Sequence, residues 1–257
     1  MRLDVFLFEN GLAKSRSYAK SLIENGNVTV NGKIQKKPSL DVTDTDMVKV
    51  TAELYEYVSR GGVKLEGALQ TFQVDVSGMV CVDIGASSGG FTDCLLQNGA
   101  SRVYAIDSGS GQLAESLRKD SRVVNIENFN ARNLCGDDFP ELCDIAVTDV
   151  SFISQTLIIP AAVSVLDENG IYISLIKPQF ECGRAGLGKG GIVKSKKVIF
   201  EAVKKVISCA ADNGLYCKGL IRSPIKGGDG NTEFLMLCSK QGIAVIDDNF
   251  IKETVGV

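Results

Sequence analysis

Apolar and polar residues alternate along this chain with two different rhythms, and the change comes near residue 59. From Ser59 onwards, short apolar runs suited to buried strands alternate with segments in which apolar residues recur every three or four positions, as on one helix face. This alternation predicts a parallel sheet with helices on both faces. The last two predicted strands are joined only by the turn KGGDGN, which indicates an antiparallel strand in the otherwise parallel sheet.

In this second region the predicted strands lie at 79–84, 102–107, 122–126, 144–149, 170–176, 215–223 and 232–239. The predicted helices cover 91–98, 112–118, 155–166 and 196–211, and an apolar stripe formed by Leu65, Ala68, Leu69 and Phe72 adds one before the first strand. Because Pro160 fits poorly inside a helix, we expect the helix assigned to 155–166 to begin later than residue 155.

The first fifty residues instead predict two short helices followed by a hairpin. Leu3, Phe6 and Leu7 mark the first helix, and Ser15 is the expected N-cap of the second. The segment VTVNGKIQ then places Asn31-Gly32 between two short strands, which is the sequence signal of a two-residue hairpin turn. We therefore expect a small domain over 1–50, a linker over 51–58, an α/β domain over 59–240 and a C-terminal tail over 241–257.

Charge is unevenly distributed between these regions. The net charge is −3, yet residues 1–37 contain seven Lys or Arg against three Asp or Glu. A basic N-terminal domain attached to an acidic body predicts contact with a polyanion such as RNA. Lys14, Arg16, Lys20 and Lys33 surround the predicted helices and hairpin and are the expected RNA contacts.

Composition excludes several function classes. The chain has no histidine, which rules out a Ser-His-Asp triad and a histidine-ligated metal, and we expect no metal site. No apolar stretch approaches the length of about eighteen residues that a membrane span needs, so we expect no membrane partner. The eight cysteines form no CxxC pair and lie within apolar patterns, as reduced core residues of a cytoplasmic protein do.

The segment VCVDIGASSGGFTDCLLQNGA, residues 80–100, predicts a strand, a glycine-rich loop and a helix. Open sheets of this type bind ligands at the carboxyl ends of their strands. We expect the backbone N–H groups of Gly85, Ala86, Ser87 and Gly90 to face such a ligand. Asp107 ends the second strand, where its carboxylate is suited to accept hydrogen bonds from ribose hydroxyls. These features fit NAD and S-adenosylmethionine equally well.

The loop itself favours S-adenosylmethionine. Residues 85–90, GASSGG, lack the second glycine of the dinucleotide fingerprint GxGxxG, and the chain has no GK[ST] of a phosphate-binding P-loop. Asp83 precedes the loop, where a carboxylate can meet the amino group of a methionine moiety but carries the wrong charge for a pyrophosphate. The loop alone leaves open a second role for Asp83, in which its side chain only caps the turn.

Four further residues stand where chemistry is expected. Lys64 lies in SRGGVKL before the first strand, Asp149 and Lys177 end two later strands, and Glu233 enters the last strand. Each of them alone is equally compatible with a surface or capping role. Three of the four lie at strand termini on the side of the sheet that carries the glycine-rich loop, and this shared location favours a common site.

The ordered set of segments resembles the TlyA (hemolysin A) family, S4-bearing relatives of the FtsJ-type rRNA 2′-O-methyltransferases. The resemblance rests on the N-terminal domain and on SRGGVKL, DIGASSGGFT, DVSFIS, IKPQFE, GKGGIV and GNTEFL, and it extends from Arg2 to about Lys240. It implies a Rossmann-like class I methyltransferase domain, with a mostly parallel sheet and an antiparallel last strand, preceded by an α+β S4 RNA-binding domain. The implied partner is ribosomal RNA or a ribosomal subunit.

The resemblance also implies roles for individual residues. The family's K-D-K-E catalytic tetrad transfers to Lys64, Asp149, Lys177 and Glu233. The implied cofactor contacts extend to Gly89, Phe91, Asn130 and Asp149, and the implied RNA contacts to Arg60, Arg132 and Lys189. Glu127 departs from a more basic run that relatives often have, which leaves the residues that contact the adenine open.

The implied reaction is methylation of a cytidine 2′-hydroxyl in ribosomal RNA. Lys177 is the expected base, and because a lysine amine has an ordinary pKa of about 10.4, the site has to favour its neutral form. Repulsion from Lys64 and from the sulfonium is the expected cause, while Asp149 and Glu233 hold and orient the two lysines. The lack of a basic segment before Arg2 favours large-subunit RNA, with the small subunit as the alternative.

Three other functions compete with this one. A ribosome-assembly factor with an S4 domain and a catalytically inactive body would bind RNA without methylating it, although the intact tetrad argues against it. An NAD-linked enzyme would bind NAD instead of S-adenosylmethionine. A membrane lysin would need an amphipathic or spanning segment, which the sequence does not offer.

Overall fold

The computed structural model describes residues 1–13, 16–24, 26–43, 45–51 and 57–257. These residues form two compact units, Met1–Ser59 and Arg60–Val257, and each unit has a hydrophobic core of its own. Two of the residues named from the sequence, Lys14 and Ser15, lie outside the described residues.

The N-terminal unit packs two helices against a small antiparallel sheet. Its elements are α1 (Leu3–Glu9), α2 (Arg16–Glu24), β1 (Val28–Val30), β2 (Lys33–Gln35) and β3 (Val48–Val50), with strand order β2-β1-β3. Asn31 and Gly32 both have positive φ angles, 52° and 77°, which is the conformation that a tight two-residue hairpin turn requires. The predicted helix pair and hairpin are thus confirmed, whereas β3 was not predicted.

The C-terminal unit, residues 60–257, contains a seven-stranded sheet, and the structure describes every residue of this unit. The strands are β4 (Val80–Ile84), β5 (Arg102–Ile106), β6 (Val123–Ile126), β7 (Cys143–Thr148), β8 (Leu166–Ile176), β9 (Tyr216–Arg222) and β10 (Phe234–Ser239). Their order is β6-β5-β4-β7-β8-β10-β9, and only β10 runs antiparallel to its neighbours, β8 and β9. The predicted mostly parallel sheet with an antiparallel last strand is confirmed.

The helices of this unit are α3 (Gly61–Phe72), α4 (Gly90–Gln97), α5 (Glu115–Arg118), α6 (Ile159–Ser164), α7 (Pro178–Glu181), α8 (Lys196–Asp212) and α9 (Asp248–Val255). Helix α6 begins at Ile159 with Pro160 in its first turn, and Gln155–Leu157 form a separate 3₁₀ turn. The late start expected from the proline is therefore confirmed, since a proline needs no N–H partner in the first helical turn.

The segment expected to be a C-terminal tail contains helix α9. Ile251 and Val255, four positions apart, are buried in the main core, where α9 packs against α8 and β9. Arg222 Nε donates a hydrogen bond of 2.7 Å to the carbonyl of Thr254 near the end of α9. A cation at this end of a helix also interacts favourably with the helix dipole.

The predictions about a membrane partner and about the cysteines can be compared with the structure. No helix within the described residues is long and apolar enough to cross a membrane. All eight cysteines are thiols in the structure, and most are buried in the core, but Cys135 is exposed and does not fit the expectation of core cysteines.

Candidate active site

The register of the sheet brings the predicted site residues to one rim. Ile84 of β4 pairs with Ile106 of β5 and with Thr148 of β7, so the next residues, Gly85, Asp107 and Asp149, leave the sheet side by side. Parallel strands present their carboxyl ends at the same edge, which is where ligands bind in such sheets. The strand register thus explains why residues far apart in sequence share one site.

The other side of the rim carries the remaining two strand-end residues. Lys177 follows Ile176 of β8, and Glu233 precedes Phe234 of β10, which is the register partner of Ile176. Because β10 is antiparallel, a residue at its start meets a residue at the end of β8. The antiparallel strand is therefore what brings Glu233 to the rim.

The loop after β4 differs from the sequence-based expectation in one respect. The N–H groups of Gly85 and Ala86 both donate to the carbonyl of Ile106, at 2.8 and 3.0 Å, and the N–H of Ser87 donates to Asp107 Oδ2 at 2.8 Å. These three N–H groups therefore join the loop to β5. This differs from the expectation that they face a ligand. A loop whose N–H groups are used in this way is poorly suited to cradle a phosphate.

The glycines of this loop are needed for close packing. Gly85 has a φ angle of 87°, and a Cβ there would lie 2.9 Å from Val150 Cγ1. Gly89 has a φ angle of 94°, and a Cβ there would collide with Leu117 of α5. The close packing of Gly89 against α5 thus requires a glycine at this position, and its implied cofactor contact stays a prediction.

A cleft of about 400 Å³ opens at this rim. Its wall includes Gly85, Ser87, Asp107, Asn130 and Asp149 from the predicted cofactor set. It further contains Ile106, Ser108, Gln112, Phe129, Ala131, Val150, Ser151, Phe152, Ile153 and Ile158. The other predicted cofactor residues are buried and do not line this wall; they are Asp83, Ala86, Gly89, Gly90 and Phe91.

Asp83 is fully buried and only half satisfied. Its Oδ2 accepts hydrogen bonds from the N–H and the hydroxyl of Thr92 in the first turn of α4, at 2.9 and 2.7 Å. Its Oδ1 has no hydrogen-bond partner among the described residues. Burial raises the pKa of Asp83 to about 7, against the opposing effect of the Thr92 hydrogen bonds, and nearby Asp149 and Asp107 raise this pKa further.

A buried acceptor without a donor is unusual, because such an atom costs about 1–3 kcal/mol. The capping role that the sequence left open accounts for Oδ2 but not for Oδ1. The unpaired Oδ1 is thus able to accept a hydrogen bond from a ligand.

The opposite wall of the cleft is held by side chains that bond to loop backbone. Asp107 Oδ1 accepts from the N–H of Gly109 at 2.7 Å, and Glu127 accepts from the N–H of Gly111 at 2.8 Å. Both carboxylates therefore fix the loop after β5. Glu127, the departure from the family pattern, has a structural role in this loop.

Lys177 and Asp149 form an ion pair at the rim. Lys177 Nζ lies 2.7 Å from Asp149 Oδ1, and the two side chains are 10% and 20% exposed. Lys177 Nζ also donates to the hydroxyl of Ser151 at 2.7 Å. The amine thus meets two acceptors from the loop that follows β7, and both of these residues line the cleft.

Lys64 and Glu233 form a second, more deeply buried ion pair. Lys64 Nζ lies 2.6 Å from Glu233 Oε2, and the two side chains are only 5% and 3% exposed. A Cβ at Gly227 would lie 2.5 Å from Glu233 Oε1, so the glycine turn at 227–230 covers this carboxylate closely. The predicted tetrad therefore consists of two lysine–carboxylate pairs, and only the pair of Lys177 with Asp149 reaches the cleft wall, through Asp149.

Several cleft residues were missed from the sequence. Ser151 and Phe152 lie within DVSFIS, one of the segments on which the family resemblance rests. Only Asp149 of this segment was predicted to be a site residue. Phe152 is 92% exposed, has a φ angle of 62°, and its ring centroid is 5.1 Å from that of Phe180. A bulky residue in the left-handed region is a strained outlier that often marks a functional loop, yet no sequence pattern reports this strain.

The predicted RNA contacts are exposed where the structure describes them. Arg16, Lys20 and Lys33 lie on the surface of the N-terminal unit, and Lys14 is outside the described residues. In the C-terminal unit, Arg60, Arg132 and Lys189 are likewise exposed.

Arg132 and Lys189 lie in loops of limited freedom. Arg132 Nε donates to Asn130 Oδ1 at 3.3 Å. The loop with Lys189 is held at its end by the buried Asn231, which accepts from the N–H of Val193 at 2.9 Å and donates to the carbonyl of Gly191 at 3.1 Å. These bonds restrain the C-terminal side of the segment 183–191.

Comparison with known proteins agrees with both units. The FtsJ-like methyltransferase family matches residues 57–240, and the S4 domain family matches residues 1–48. Bacillus subtilis YqxC, described as an rRNA methyltransferase candidate, is 48% identical over 91% of this chain and 84% of its own length. The Mycobacterium tuberculosis protein named 16S/23S rRNA (cytidine-2′-O)-methyltransferase TlyA is 41% identical over 91% of this chain and 88% of its own length.

A solved structure is similar to this chain. A hemolysin candidate from Streptococcus thermophilus superposes with a TM-score of 0.79 at 43% identity, and the match covers 100% of this chain and 94% of the other.

The burial of the Lys64–Glu233 pair leads to a stability prediction. Glu233→Gln should lower the free energy of unfolding by about 3–5 kcal/mol, because it leaves the Lys64 ammonium buried without its carboxylate. Urea unfolding followed by circular dichroism measures this loss. Adding Lys64→Met to the variant should recover most of the stability, since no buried charge is then unpaired.

The matched control is an exposed pair of the same length. Glu115 and Lys119 also lie 2.6 Å apart, but their side chains are 70% and 74% exposed. Glu115→Gln should leave stability unchanged, because exposed pairs contribute little. If Glu233→Gln and Glu115→Gln lowered the free energy of unfolding equally, the predicted contribution of the buried pair would be wrong.

Proposed function

Since the chain belongs to the TlyA (hemolysin A) family of S4-bearing, FtsJ-like methyltransferases, we propose that it methylates the 2′-hydroxyl of a cytidine in ribosomal RNA with S-adenosylmethionine as donor. The observation that carries this proposal is the Lys177–Asp149 pair at the edge of the cleft. It supplies an amine next to the cleft in which we place the cofactor. The relative from M. tuberculosis is named for this chemistry on 16S and 23S RNA.

The residues around the cleft fit S-adenosylmethionine. The unpaired Asp83 Oδ1 is an acceptor suited to the cofactor's ammonium group, directly or through a water. Asp107 lines the cleft and has lone pairs left for ribose hydroxyls, and Phe129 and Ile158 offer an apolar wall to the adenine. The loop N–H groups of Gly85 and Ala86 are already bonded, which disfavours the phosphates of NAD.

In the reaction the protein has to remove a proton and align the reactants. The bound cofactor supplies an electrophilic methyl group. Lys177 Nζ takes the proton of the ribose hydroxyl as the oxygen attacks, and later releases it to solvent. Asp149 Oδ1, at 2.7 Å, holds this amine at the rim. The alignment of hydroxyl and methyl group within the cleft contributes the larger part of the rate enhancement.

Lys64 has a different part in this scheme from the one expected. Its ammonium is paired with Glu233 at 2.6 Å, so the net charge of the pair is close to zero. Lys64 therefore does not act on Lys177 as an isolated positive charge. The buried pair instead joins α3 to the start of β10 and thereby supports the rim.

RNA binding is assigned to exposed basic and aromatic side chains. Arg16, Lys20 and Lys33 of the N-terminal unit supply contacts to phosphates, which position RNA without reading its sequence. At the cleft, the exposed ring of Phe152 offers a surface on which an unpaired base can stack.

The proposed base is tested by Lys177→Ala. Methylation of ribosomal RNA should fall by about 100-fold or more, because the hydroxyl proton then has no acceptor at this position. Mass spectrometry of 2′-O-methylcytidine in both ribosomal RNAs, taken from cells with and without the protein, identifies the product. Calorimetry should show that S-adenosylmethionine binding changes by less than about twofold, whereas an assembly factor without catalysis would show no methylation even for the wild type.

The matched control is Lys119→Ala. Lys119 lies 2.6 Å from Glu115, and its side chain is 74% exposed. Activity near that of the wild type is expected for this control. Full methylation by Lys177→Ala would refute Lys177 as the base.

Cofactor affinity should depend on pH through Asp83. The ionised carboxylate is the form that attracts an ammonium group, and the pKa of Asp83 is raised to about 7. Between pH 7 and pH 5.5 the dissociation constant for S-adenosylmethionine should therefore rise by up to about tenfold per pH unit, because binding has to displace a proton. Calorimetry with Asp83→Asn provides the control, since the amide should bind weakly with no such slope; an unchanged slope in this variant would assign the dependence to another group.

The RNA role of the N-terminal unit is tested by charge reversal. Lys20→Glu with Lys33→Glu should weaken binding to ribosomal RNA and reduce the salt dependence of the binding constant, because fewer counterions are released. S-adenosylmethionine binding should not change. Lys119→Glu, which alters an equally exposed lysine on the C-terminal unit, is the control; if it has the same effect as the double reversal, the N-terminal unit has no special role.

A further inference from the structure

The surroundings of Lys177 determine which way its lone pair points. A neutral lysine amine has two N–H donors and one lone pair, arranged tetrahedrally with the bond to Cε. Two acceptors meet this nitrogen at 2.7 Å, Asp149 Oδ1 and Ser151 Oγ. Only Ser151 Oγ takes an N–H in a hydrogen bond, whereas Asp149 Oδ1 meets the nitrogen as a close negative charge. The bond to Ser151 fixes the direction of one N–H, and attraction to Asp149 favours the second N–H over the lone pair on that side, so the lone pair is left in the remaining direction. Asp149 alone would hold the nitrogen in place but leave the amine free to rotate about the bond from Cε to Nζ.

Ser151 is also placed to act on the reaction without contributing to folding. It is exposed, it lines the cleft, and its hydroxyl accepts from Lys177. An exposed serine in a loop is not needed to fill a core. Its hydrogen bond to the proposed base is therefore the feature that requires explanation.

The loop that carries Ser151 is fastened at its far end by Glu181. Glu181 is buried, and its Oε1 accepts from the N–H of Gln155 at 2.7 Å. Its Oε2 accepts from the hydroxyl of Ser154 at 2.5 Å. Glu181 is the last residue of α7, the helix that begins directly after Lys177. Both arms of the site, the loop with Ser151 and the segment with Lys177, are thus joined by one carboxylate.

Gln155 fastens the same loop to the sheet below it. Its Oε1 accepts from the hydroxyls of Tyr172 and Thr148, at 3.0 and 3.2 Å, and its Nε2 donates to the carbonyl of Leu175 at 3.1 Å. Gln155, Thr148 and Tyr172 are at most 2% exposed. Thr148 immediately precedes Asp149, and Leu175 lies two residues before Lys177. This buried network therefore holds the loop at the strand ends that carry the ion pair.

We propose that Ser151 is a positioning residue that directs the lone pair of Lys177 towards the substrate hydroxyl, and that Gln155 and Glu181 hold the loop which presents Ser151. This inference rests on the proposed role of Lys177 as the base. Ser151 bonds only to the proposed base, and neither Ser151 nor Gln155 exchanges a proton with the substrate in this scheme. Their contribution is the orientation of the amine, which matters because a misplacement of about 1 Å can cost a factor of about 100 in rate.

Removal and restoration of the hydroxyl test the role of Ser151. In single-turnover and steady-state assays on ribosomal RNA from cells that lack the protein, Ser151→Ala should lower kcat by about 10- to 100-fold. KM for RNA and the dissociation constant for S-adenosylmethionine should change by less than about twofold, because in this scheme the hydroxyl of Ser151 does not contribute to the binding of either molecule. Ser151→Thr, which keeps the hydroxyl, should restore kcat to within about threefold of the wild type.

The role of Gln155 is tested by a double-mutant cycle. Gln155→Met keeps the length of the side chain but removes its hydrogen bonds, and it should lower kcat by a factor similar to that of Ser151→Ala. If Gln155 acts through the loop that presents Ser151, the double variant should lose no more activity than the more damaged single variant. Multiplication of the two losses would show independent action and would overturn this part of the proposal.

Tyr172→Phe provides a second test in case Gln155→Met does not fold. It removes one hydroxyl of the network without changing the shape of the ring, and it should lower kcat without altering KM. Tyr104→Phe is the matched control, because Tyr104 is an equally buried tyrosine of the same sheet that lies on β5, away from the network. Equal loss of kcat in both variants would indicate a general effect of the sheet and overturn the proposal.

The outcomes separate this inference from the proposed function. Lys177→Ala is assayed alongside, and if it remains active, the proposed base itself is wrong. If Lys177→Ala is inactive while Ser151→Ala has the wild-type kcat, only the positioning role of Ser151 fails. A loss that Ser151→Thr does not restore, or one that appears in KM and not in kcat, also overturns the positioning role.

Discussion

Burial of charge in neutral pairs is the constraint on which the site depends. A lysine at a dry sheet edge is tolerated only if a carboxylate meets it, because an uncompensated buried charge costs several kcal/mol. Lys64 with Glu233 and Lys177 with Asp149 satisfy this condition at 2.6 and 2.7 Å. Each pair joins segments that are remote in sequence, so the chemistry and the local architecture of the rim rest on the same contacts.

The same constraint distinguishes the supporting parts of the site from the parts that bind. The network of Gln155, Tyr172 and Thr148 is buried with its polar atoms bonded to one another, as a rigid support requires. Asp83 is buried with one oxygen unpaired and with its pKa raised to about 7. An unsatisfied atom beside a satisfied network is where a ligand contributes most, because it replaces a missing partner instead of competing with one.

Elements that depend on local interactions were predicted from the sequence, and elements that depend on contacts with distant parts of the chain were not. The Asn31-Gly32 hairpin, the late start of α6 at Pro160 and the alternation of strands and helices come from local backbone preferences and periodicity, which a sequence displays directly. Strand β3 and helix α9 were missed because both are stabilised by partners elsewhere in the chain, β3 by β1 and α9 by α8 and β9.

The sequence by itself determined the order of strands and helices, the glycine-rich loop and the residues that gather at the rim, since strand ends and turn residues are encoded locally. Only the tertiary structure decided how those residues are used. It bonded the N–H groups of Gly85 and Ala86 to Ile106, paired each lysine with its own carboxylate, and brought Ser151 to Lys177. These outcomes depend on strand register and loop path, in which a shift of one residue turns a side chain to the opposite face, and no short stretch of sequence specifies them.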